Sequence, residues 1–333
     1  MMSSREGMTL SGSSGWLMEG EADNYNSGIP EREQCSRCSE PAVIRMEDSC
    51  ERLCSTHFCG DLETRVRSYM EFPGRVSPRD HIAVALSGGK DSSALLLLLH
   101  GFQPAWPDVE LTAVTVDEGI GGYREETMDA ASDLAATLGV RHEIVAFTDL
   151  FGKTLDTMVK GRENRACTIC GVMRRNALIH AARRIGATKI ATGHNRDDEA
   201  QSVLMNVFRG DLPRLLQDSS SGGQGCFLPR IKPLSVVSER EILTYLLVRG
   251  FYRDLPECPY SSSALRSTVR VLLENFEERF PGTSENLVML RGSLRQSLPR
   301  SVAERGLRPC RECGESSSGE ICQTCRIQHL LQD

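Results

Sequence analysis

Three features are missing from this 333-residue sequence, and each absence narrows what the protein can be. No apolar run approaches the ~20 residues that a membrane-spanning helix needs, so a membrane protein is not expected. The N-terminus has no apolar core of the kind that signal peptides carry, so secretion is not expected either. No internal repeat is visible, apart from two short cysteine-rich segments near the ends that resemble each other. We therefore expect a cytoplasmic protein.

The thirteen cysteines would suggest disulfides in a short secreted chain, but here their spacing indicates metal sites. Near each end, two pairs of ligands are each separated by two residues, which lets one turn of the chain chelate a metal twice. Cys50 and Cys59 are spare, and either could replace His57 as a ligand. The spacing predicts two zinc sites, formed by Cys35, Cys38, Cys54 and His57 and by Cys310, Cys313, Cys322 and Cys325.

The charge of the chain is unevenly distributed. A net charge of −6 argues mildly against a nucleic-acid partner, but the distribution matters more than the total. Residues 1–34 hold six acids and two arginines, whereas residues 160–184 hold seven bases and one acid, and residues 291–311 six bases and one acid. Because both basic stretches flank cysteine motifs, they predict an RNA-binding surface. A solvated arginine-rich face is the ordinary alternative.

The body of the chain alternates strand and helix patterns, which predicts an α/β fold with a doubly wound parallel sheet. Strands are predicted over 81–86, 109–116, 141–147, 189–192 and 227–234, and helices over 61–71, 92–100, 122–138, 171–185, 197–208 and 239–249. Around this main domain (61–261) we expect a disordered tail (1–34), metal modules (35–60 and 305–333) and a helical extension (262–304).

A glycine-rich turn, Ser-Gly-Gly-Lys-Asp-Ser at 87–92, joins the first strand to the next helix. Backbone amides at the start of a helix, together with the helix dipole, favour bound anions. The glycines let a phosphate approach the backbone closely, and Lys90 adds a positive charge. A Walker A loop is absent, because Val84 stands where its first glycine would be. The turn predicts a different phosphate loop; a turn that binds nothing is the alternative.

Carboxylates follow two other predicted strands at the same sheet edge. Asp197 and Asp198 could position Mg²⁺ or exchange a proton beside a phosphate site. A helix N-cap supplied by Asp197, with acidic residues in the first turn, is the alternative. Asp117 ends the second strand and is similarly placed, although a plain turn explains it almost as well.

Cys167 and Cys170 form a pair that has no second pair beside it. Alone, they could be a redox dithiol, half of a metal site or two buried cysteines. Cys258, far along the chain, is a third candidate ligand. Three thiolates suit a [4Fe–4S] cluster with one iron left open. A three-cysteine zinc site and a sulfur-relay pair are the alternatives.

Taken in chain order, these motifs resemble one known family. Five segments of the chain match the motifs of this family. They are the glycine-rich turn at 87–92, Asp-Glu-Gly-Ile at 117–120 with Gly-Tyr-Arg at 122–124, Cys-x-x-Cys-Gly at 167–171, Gly-His-Asn-x-Asp-Asp-Glu at 193–199, and Glu-Cys-Pro-Tyr at 257–260. With a PP-loop (SGGxDS) and both terminal modules, the chain is similar to the tRNA 2-thiouridine synthetases of the TtuA and NcsA type. The resemblance covers about residues 34–326. Related cytidine-thiolating enzymes lack the terminal zinc modules, and lysidine synthetases lack the cysteine pair.

The resemblance implies an enzyme that replaces the 2-oxygen of a tRNA uridine with sulfur, at wobble position 34 or T-loop position 54. ATP would adenylate the oxygen and release pyrophosphate. The implied cofactors are ATP, Mg²⁺, two zinc ions and a [4Fe–4S] cluster on Cys167, Cys170 and Cys258. The implied partners are tRNA and a sulfur donor, either a ubiquitin-like protein thiocarboxylate or sulfide, and a homodimer is one option.

The resemblance also implies roles for single residues. Arg174 stands where some members have a catalytic lysine, and since arginine does not release its proton readily, its expected role is electrostatic. The implied catalytic residues are Lys90, Asp91, Asp198 and Arg174, and the implied ATP-binding residues are Ser87, Gly88, Gly89, Lys90, Asp91, Ser92, Asp117, Gly193, His194 and Asp197.

Two other functions stay open at this point. An amide-forming ATP pyrophosphatase would not need the three cysteines. A non-catalytic zinc-ribbon adaptor that binds RNA would have no use for Lys90 and Asp91.

Overall fold

The computed structural model describes residues 33–47, 49–216, 228–261, 265–299 and 308–331, so nearly all of the predicted tail lies outside the described residues. The N-terminal module is a short antiparallel pair, β1 (Ile44–Arg45) and β2 (Arg52–Leu53), followed by α1 (Ser55–Glu71). Helix α1 begins six residues before the predicted start at 61. The buried residues Phe58, Leu62 and Val66 explain this, because they follow a helical spacing through Gly60.

The centre of the molecule is a five-stranded parallel sheet, as predicted. Its strands are β3 (His81–Ala85), β4 (Glu110–Asp117), β5 (Arg141–Ala146), β6 (Lys189–Ala191) and β7 (Arg230–Ile231), in the order β5-β4-β3-β6-β7. Strand β7 is much shorter than the predicted 227–234. Pro233 starts a 3-10 turn (Pro233–Val236) and has no N–H for the ladder, so strand pairing ends before it.

Helices cover both faces of the sheet. They are α2 (Lys90–Phe102), α3 (Arg124–Thr137), α4 (Phe147–Phe151), α5 (Leu155–Val159), α6 (Ala166–Arg184), α7 (Arg196–Phe208), α8 (Leu212–Leu216) and α9 (Glu239–Arg249). Successive side chains of a strand point to opposite faces. Accordingly, Ile82 and Val84 join the core formed with α1, α2, α3 and α9, whereas Ala83 joins the core under α6.

Helix α6 begins at Ala166, five residues before the predicted start at 171. Ala166, Ile169 and Met173 are buried against the sheet, and this packing keeps the helix continuous through Gly171. The shift matters because Cys167 and Cys170 then lie in the first turns of a helix rather than in a loop.

The C-terminal part is a helical extension, α10 (Leu265–Arg279) and α11 (Thr283–Ser297), followed by a second small module. Both helices of the extension pack against α7, where Val269 and Leu273 cover Ala200. The module consists of the antiparallel pair β8 (Arg308–Pro309) and β9 (Ser316–Ser317) and the helix α12 (Gln323–Leu330). Within the described part of the chain, no helix has the length and hydropathy that crossing a membrane requires.

Candidate active site and metal centres

The loop at 87–92 is held in a fixed shape by its own serines. Ser87 N donates to Ser92 Oγ at 3.1 Å, and Ser92 Oγ donates to Gly89 O at 2.8 Å. Gly88 has φ +90°, and a Cβ there would lie 1.9 Å from the Thr127 carbonyl oxygen of α3. Only glycine fits this contact, so the loop is pressed against α3.

Helix α2 starts at Lys90, directly after the loop. Its N-cap, Gly89, has no side chain to satisfy the first amides, which leaves them to an anionic ligand. Lys90 Nζ lies 3.1 Å from Asp91 Oδ2 and 2.8 Å from Glu239 Oε1. Burial alone would lower the pKa of Lys90, but Asp91 and Glu239 outweigh burial and raise it, so the lysine is charged.

The segment after β6 is brought against the loop. A Cβ at Gly193 would lie 3.0 Å from the Asp91 backbone carbon, so this close approach needs glycine. Asn195 Nδ2 donates to Asp91 Oδ1 at 2.9 Å. Asn195 is also the N-cap of α7, in a capping box with Asp198. The alternative in which Asp197 supplies the cap is therefore wrong.

The acidic residues of this segment have distinct surroundings. Asp197 Oδ2 accepts a bond from Glu239 N at 2.7 Å, and Asp198 Oδ1 lies 2.9 Å from Arg266 Nη1 of α10. Burial raises the pKa of both aspartates, and Arg266 opposes the shift at Asp198. A carboxyl group with a raised pKa is better suited to proton exchange than an ordinary exposed aspartate. Asp117 Oδ1 accepts from Gly119 N at 2.9 Å, which is a turn contact.

His194 is in the same segment, and its Nδ1 lies 2.9 Å from Thr192 Oγ1. Burial lowers the pKa of His194 to about 4, with Lys232 adding to the shift. The imidazole is therefore neutral at pH 7 and can act as a hydrogen-bond partner rather than as a cation.

The three cysteines Cys167, Cys170 and Cys258 meet at one place, although Cys258 comes from a distant segment. Cys258 packs with Tyr260 against the core that includes Cys170. Cys167 Sγ donates to the Tyr260 carbonyl at 3.0 Å, and Tyr260 Oη donates to Asp156 Oδ1 at 2.8 Å. Burial raises the pKa of Cys170 to about 11, and proximity to Cys258 and Cys167 adds to the shift.

The spacing of these thiols distinguishes the site from the two terminal ones. A tetrahedral zinc ion with Zn–S bonds of about 2.3 Å holds its sulfurs about 3.8 Å apart. Among the described residues, two groups place their ligand atoms within 4.8 Å of one another, and the three cysteines do not form such a group. At least one pair of these three sulfurs is therefore farther apart than the sulfurs of a tetrahedral zinc site.

Two arginines and one acid lie between the cysteines and the phosphate loop. Arg174 follows Cys170 by one turn on α6, and its Nε lies 3.4 Å from Glu118 Oε1. Glu118 also faces Arg124, whose Nη1 donates to the Ser87 carbonyl at 2.9 Å. Burial alone would lower the pKa of Arg174, but Cys170 and Glu118 outweigh burial and raise it.

The N-terminal metal group is Cys35, Cys38, Cys54 and His57. His57 Nδ1 lies 3.4, 3.6 and 3.3 Å from the three sulfurs, which is the spacing of a tetrahedral site. Burial raises the pKa of Cys35, but the N–H of Arg37 and further hydrogen bonds outweigh burial and lower it to about 6. The ligand alternatives are not supported, because the group whose ligand atoms lie within 4.8 Å of one another contains His57 and neither Cys50 nor Cys59.

The C-terminal metal group is Cys310, Cys313, Cys322 and Cys325. The Cys310 and Cys325 sulfurs lie 3.9 Å apart, and the Cys313 and Cys322 sulfurs 3.6 Å apart. Hydrogen bonds from the backbone of Cys313 and Cys322 lower the pKa of Cys310 to about 6. A low thiol pKa favours the thiolate form that binds a metal.

The predicted basic surface is partly used for contacts inside the chain. Arg162 donates to the Leu330 carbonyl at 2.6 Å, Arg183 pairs with Glu315, and Arg184 pairs with Glu143 at 3.2 Å. Arg291 is mostly buried and pairs with Glu199. These side chains position structural elements, so an RNA surface would depend on other exposed cations, such as Lys160, Arg165 and Arg175.

Sequence reasoning missed four residues of this site. Glu118 and Arg124 lie within motifs that were recognised, but no role was assigned to either. Glu239 and Arg266 come from α9 and α10, outside the recognised motifs. For Glu239, the preceding Ser238 marked a helix start, but only the folded chain shows that this start faces Lys90.

Comparisons with known proteins agree with this geometry. A family model described as a PP-loop domain matches residues 61–270. The chain is 38% identical over 318 residues to the tRNA 2-thiolation protein NcsA of Haloferax volcanii, which covers 90% of this chain and 99% of that protein. It is 37% identical over 302 residues to the cytoplasmic tRNA 2-thiolation protein 1 of Mus musculus, covering 88% of this chain and 71% of that protein.

One solved structure is similar over most of its length. It is the U34-tRNA thiolase NcsA from Methanococcus maripaludis with its [4Fe-4S] cluster, and it superposes with a TM-score of 0.78 at 31% identity. The match covers 90% of this chain and 96% of that structure.

Proposed function

The chain belongs to the PP-loop family and, within it, to the tRNA 2-thiolation proteins, and on that premise we propose that it is an ATP-dependent tRNA uridine 2-sulfurtransferase. The observation that carries the proposal is the position of two sites on one sheet edge. The phosphate loop and the three-cysteine site are joined through Arg124, Glu118 and Arg174. An amide-forming enzyme or a zinc-ribbon adaptor has no need of this pairing.

The chemistry needs both sites because the C2 oxygen of uridine is a poor leaving group. In the proposed reaction this oxygen attacks the α-phosphorus of ATP, and the bond to pyrophosphate breaks. A sulfur nucleophile then adds to C2, and the C–O bond breaks to release AMP with the former uridine oxygen. The α2 amides and Lys90 would bind the phosphates. Lys90 would exchange its contact with Glu239 for one with ATP, and Mg²⁺ would arrive with the nucleotide.

A [4Fe–4S] cluster is the proposed group at the second site, since its donors are three cysteines that converge there and are not as close together as the ligands of the two terminal groups. Held by these three thiolates, such a cluster would have one iron without a protein ligand and would supply a site for a sulfur ligand there. The chain's own residues orient this site. Without a bound cluster, the Cys167 thiol donates to the Tyr260 carbonyl, which holds the Cys258 segment near the pair, and Arg174 supplies a positive charge beside Cys170.

The remaining roles follow the predictions from the sequence. Asp198 is proposed as an acid or base, because burial raises its pKa. The two terminal groups are proposed zinc sites. The proposed target is the wobble uridine, supported by the U34-tRNA thiolase from Methanococcus maripaludis, and the proposed location is the cytoplasm, supported by the name of the mouse relative. A ubiquitin-like thiocarboxylate or sulfide is the proposed sulfur donor, and a homodimer stays a prediction.

The first experiment follows the products formed from labelled ATP with tRNA and sulfide under anaerobic conditions. We expect AMP and pyrophosphate, and a 2-thiouridine in the digested tRNA. Lys90→Ala should lower the rate strongly while tRNA affinity is kept, because Lys90 acts on the phosphates. Lys153→Ala is the control, since Lys153 is an exposed lysine that donates to the Leu331 carbonyl. Formation of ADP instead would contradict the proposal.

A second experiment tests the cysteine site. Cys258→Ala, prepared anaerobically, should lose iron and thiolation together yet bind ATP as before. Cys50→Ala is the matched control, because Cys50 is an exposed cysteine outside the three sites. Sustained turnover by an iron-free Cys258→Ala protein would instead support a persulfide relay on Cys167 and Cys170.

A further inference from the structure

A buried carboxylate, Glu118, lies between two arginines and belongs to neither site by itself. Its side chain is 5% exposed. Oε2 lies 3.0 Å from Arg124 Nε, and Oε1 lies 3.4 Å from Arg174 Nε. Burying a carboxylate is unfavourable unless nearby cations compensate its charge. Arg124 and Arg174 are the two cations that compensate Glu118.

The Arg124 end of the arrangement is fixed to the phosphate loop. Arg124 is 5% exposed in its side chain and donates from Nη1 to the Ser87 carbonyl and to Thr127 Oγ1, at 2.9 and 3.0 Å. It also donates from Nη2 to the Val116 carbonyl at the end of β4. These hydrogen bonds fix the position of Arg124. Because Glu118 pairs with Arg124, the position of Glu118 is in turn fixed by the phosphate loop.

The Arg174 end is different, because that side chain is 51% exposed. The contact with Glu118 is made at the Nε edge of the guanidinium group, and Cys170 precedes Arg174 by one helical turn on the same helix. A half-exposed arginine without such a contact samples several rotamers in water. The direction in which Arg174 points is thus set by a buried residue of the neighbouring strand end.

We propose that Glu118 is a positioning residue for sulfur transfer. It holds the Arg174 guanidinium at the cysteine site, and its own position is fixed by Arg124, which is bound to the phosphate loop. This inference rests on the proposed function. Negative charge accumulates when sulfur attacks C2 and AMP departs, and a cation stabilises that charge best when it is already in place. Glu118 touches neither the substrate nor the cysteines and acts through Arg174.

The test uses Glu118→Gln, which keeps the shape of the side chain and removes its charge. We expect the thiolation kcat to fall about 10- to 100-fold, because a misplaced catalytic group costs on this order. The KM values for ATP and tRNA should stay within about twofold, since Glu118 is buried and its proposed role lies in the sulfur-transfer step. The iron-free variant should bind ATP with the affinity of the parent protein.

A readout that needs no cofactor follows the arginine directly. In the iron-free ¹⁵N-labelled protein, the Arg174 Nε–H signal should exchange slowly with water, and in Glu118→Gln it should broaden or vanish. Arg174→Met identifies the signal. If the signal is unchanged in Glu118→Gln, Glu118 does not hold Arg174 and the inference is wrong.

A double mutant decides whether Glu118 acts through Arg174. Glu118→Gln combined with Arg174→Met should be no slower than Arg174→Met alone. Multiplicative losses would mean that the two residues act independently, which overturns the inference. If Glu118→Gln does not fold, Glu118→Asp provides the same test, because its shorter side chain keeps the charge but cannot reach both arginines.

Asp80→Asn is the matched control for a merely structural ion pair. Asp80 pairs with Lys189 at the amino ends of β3 and β6, whereas the phosphate loop lies at the carboxyl ends of the strands. The Asp80 side chain is 8% exposed. We expect it to lower the melting temperature without lowering kcat. Failure of the parent protein to thiolate tRNA would refute the proposed function. An active parent with a fully active Glu118→Gln variant would refute only the present inference.

Discussion

The N-terminal metal module shares its apolar side chains with the central domain, whereas the C-terminal module keeps most of its own to itself. Ile44, Leu53 and Phe58 belong to the large core under α2 and α9. At the other end, the buried cysteines form a separate small cluster, and among the described residues of the module Ile327 and Leu331 reach the core under α6.

The difference teaches that similar ligand spacing can serve different purposes. In the N-terminal module the ligands begin α1, and α1 is part of the main core. In the C-terminal module the ligands form a small unit that docks on α6, the helix of Cys167, Cys170 and Arg174. A metal at the first site would stabilise the whole domain, and a metal at the second would stabilise a local contact.

The largest expected effect is that of Cys54→Ser. Cys54 belongs to the N-terminal metal group, is 3% exposed and is the N-cap of α1. Loss of a structural metal coupled to a shared core should lower the free energy of unfolding of the whole domain by more than about 4 kcal/mol. The measurement is urea unfolding together with a zinc count. If zinc is lost while the unfolding transition of the main domain is unchanged, the N-terminal metal does not stabilise the whole domain, and the proposed difference between the two modules is wrong.

Cys322→Ser is the matched change in the other module, because Cys322 likewise belongs to a metal group and is the N-cap of the following helix, α12. It should also remove one zinc, but the main unfolding transition should shift by less than about 1 kcal/mol, since the small module opens by itself. Limited proteolysis should show new cleavage near residue 310. A loss as large as that of Cys54→Ser would show that the two modules are equivalent.

The helical extension adds a buried ion pair, Arg291 with Glu199, to its apolar contacts with α7. Burial alone would raise the pKa of Glu199, but Lys232 and Arg291 outweigh burial and lower it to about 2. A carboxyl group with a depressed pKa stabilises the fold above its ordinary pKa, and this stabilisation is lost as the pH falls towards 2. Glu199→Gln should therefore destabilise the protein by about 3 kcal/mol at pH 7. Urea titrations should show this difference shrinking between pH 4.5 and 2.

The smallest effect is expected from Arg183→Ala. Arg183 pairs with Glu315 between α6 and the C-terminal module, and its side chain is 41% exposed. Exposed ion pairs contribute about 0–1 kcal/mol and are weakened by salt. Thermal unfolding in low and high salt should show a small difference that decreases with salt. A large, salt-independent loss would mean that the second module is attached more firmly than its separate core indicates.

Much of this molecule could be predicted from local sequence. The parallel sheet, the phosphate loop and both metal modules follow from patterns in which neighbouring residues suffice. The starts of α1 and α6 were misplaced because glycines at 60 and 171 look like breaks, and only tertiary packing of Phe58 or Ile169 overrides that signal.

The contacts of the active site are harder to predict, because they join segments that are distant in sequence. Lys90 faces Glu239, and Asp198 faces Arg266. The sequence around Glu239 at the start of α9, or around Arg266 on α10, does not indicate which residue each side chain contacts. Their positions depend on how the helices pack around the sheet edge, and a one-dimensional pattern does not contain that information.

Cys258 is synthesised well after the two cysteines that it lies beside in the folded protein. Cys167 and Cys170 leave the ribosome long before Cys258, and the segment of Cys258 is held by contacts to Asp156 and Cys167. A nascent chain that has completed α6 has the pair but lacks the third thiol. The complete ligand set therefore exists only after β6, β7 and α9 have been added. Loading of the proposed centre would thus be a late event in biogenesis, and truncated chains that end before Cys258 lack the full set of thiols.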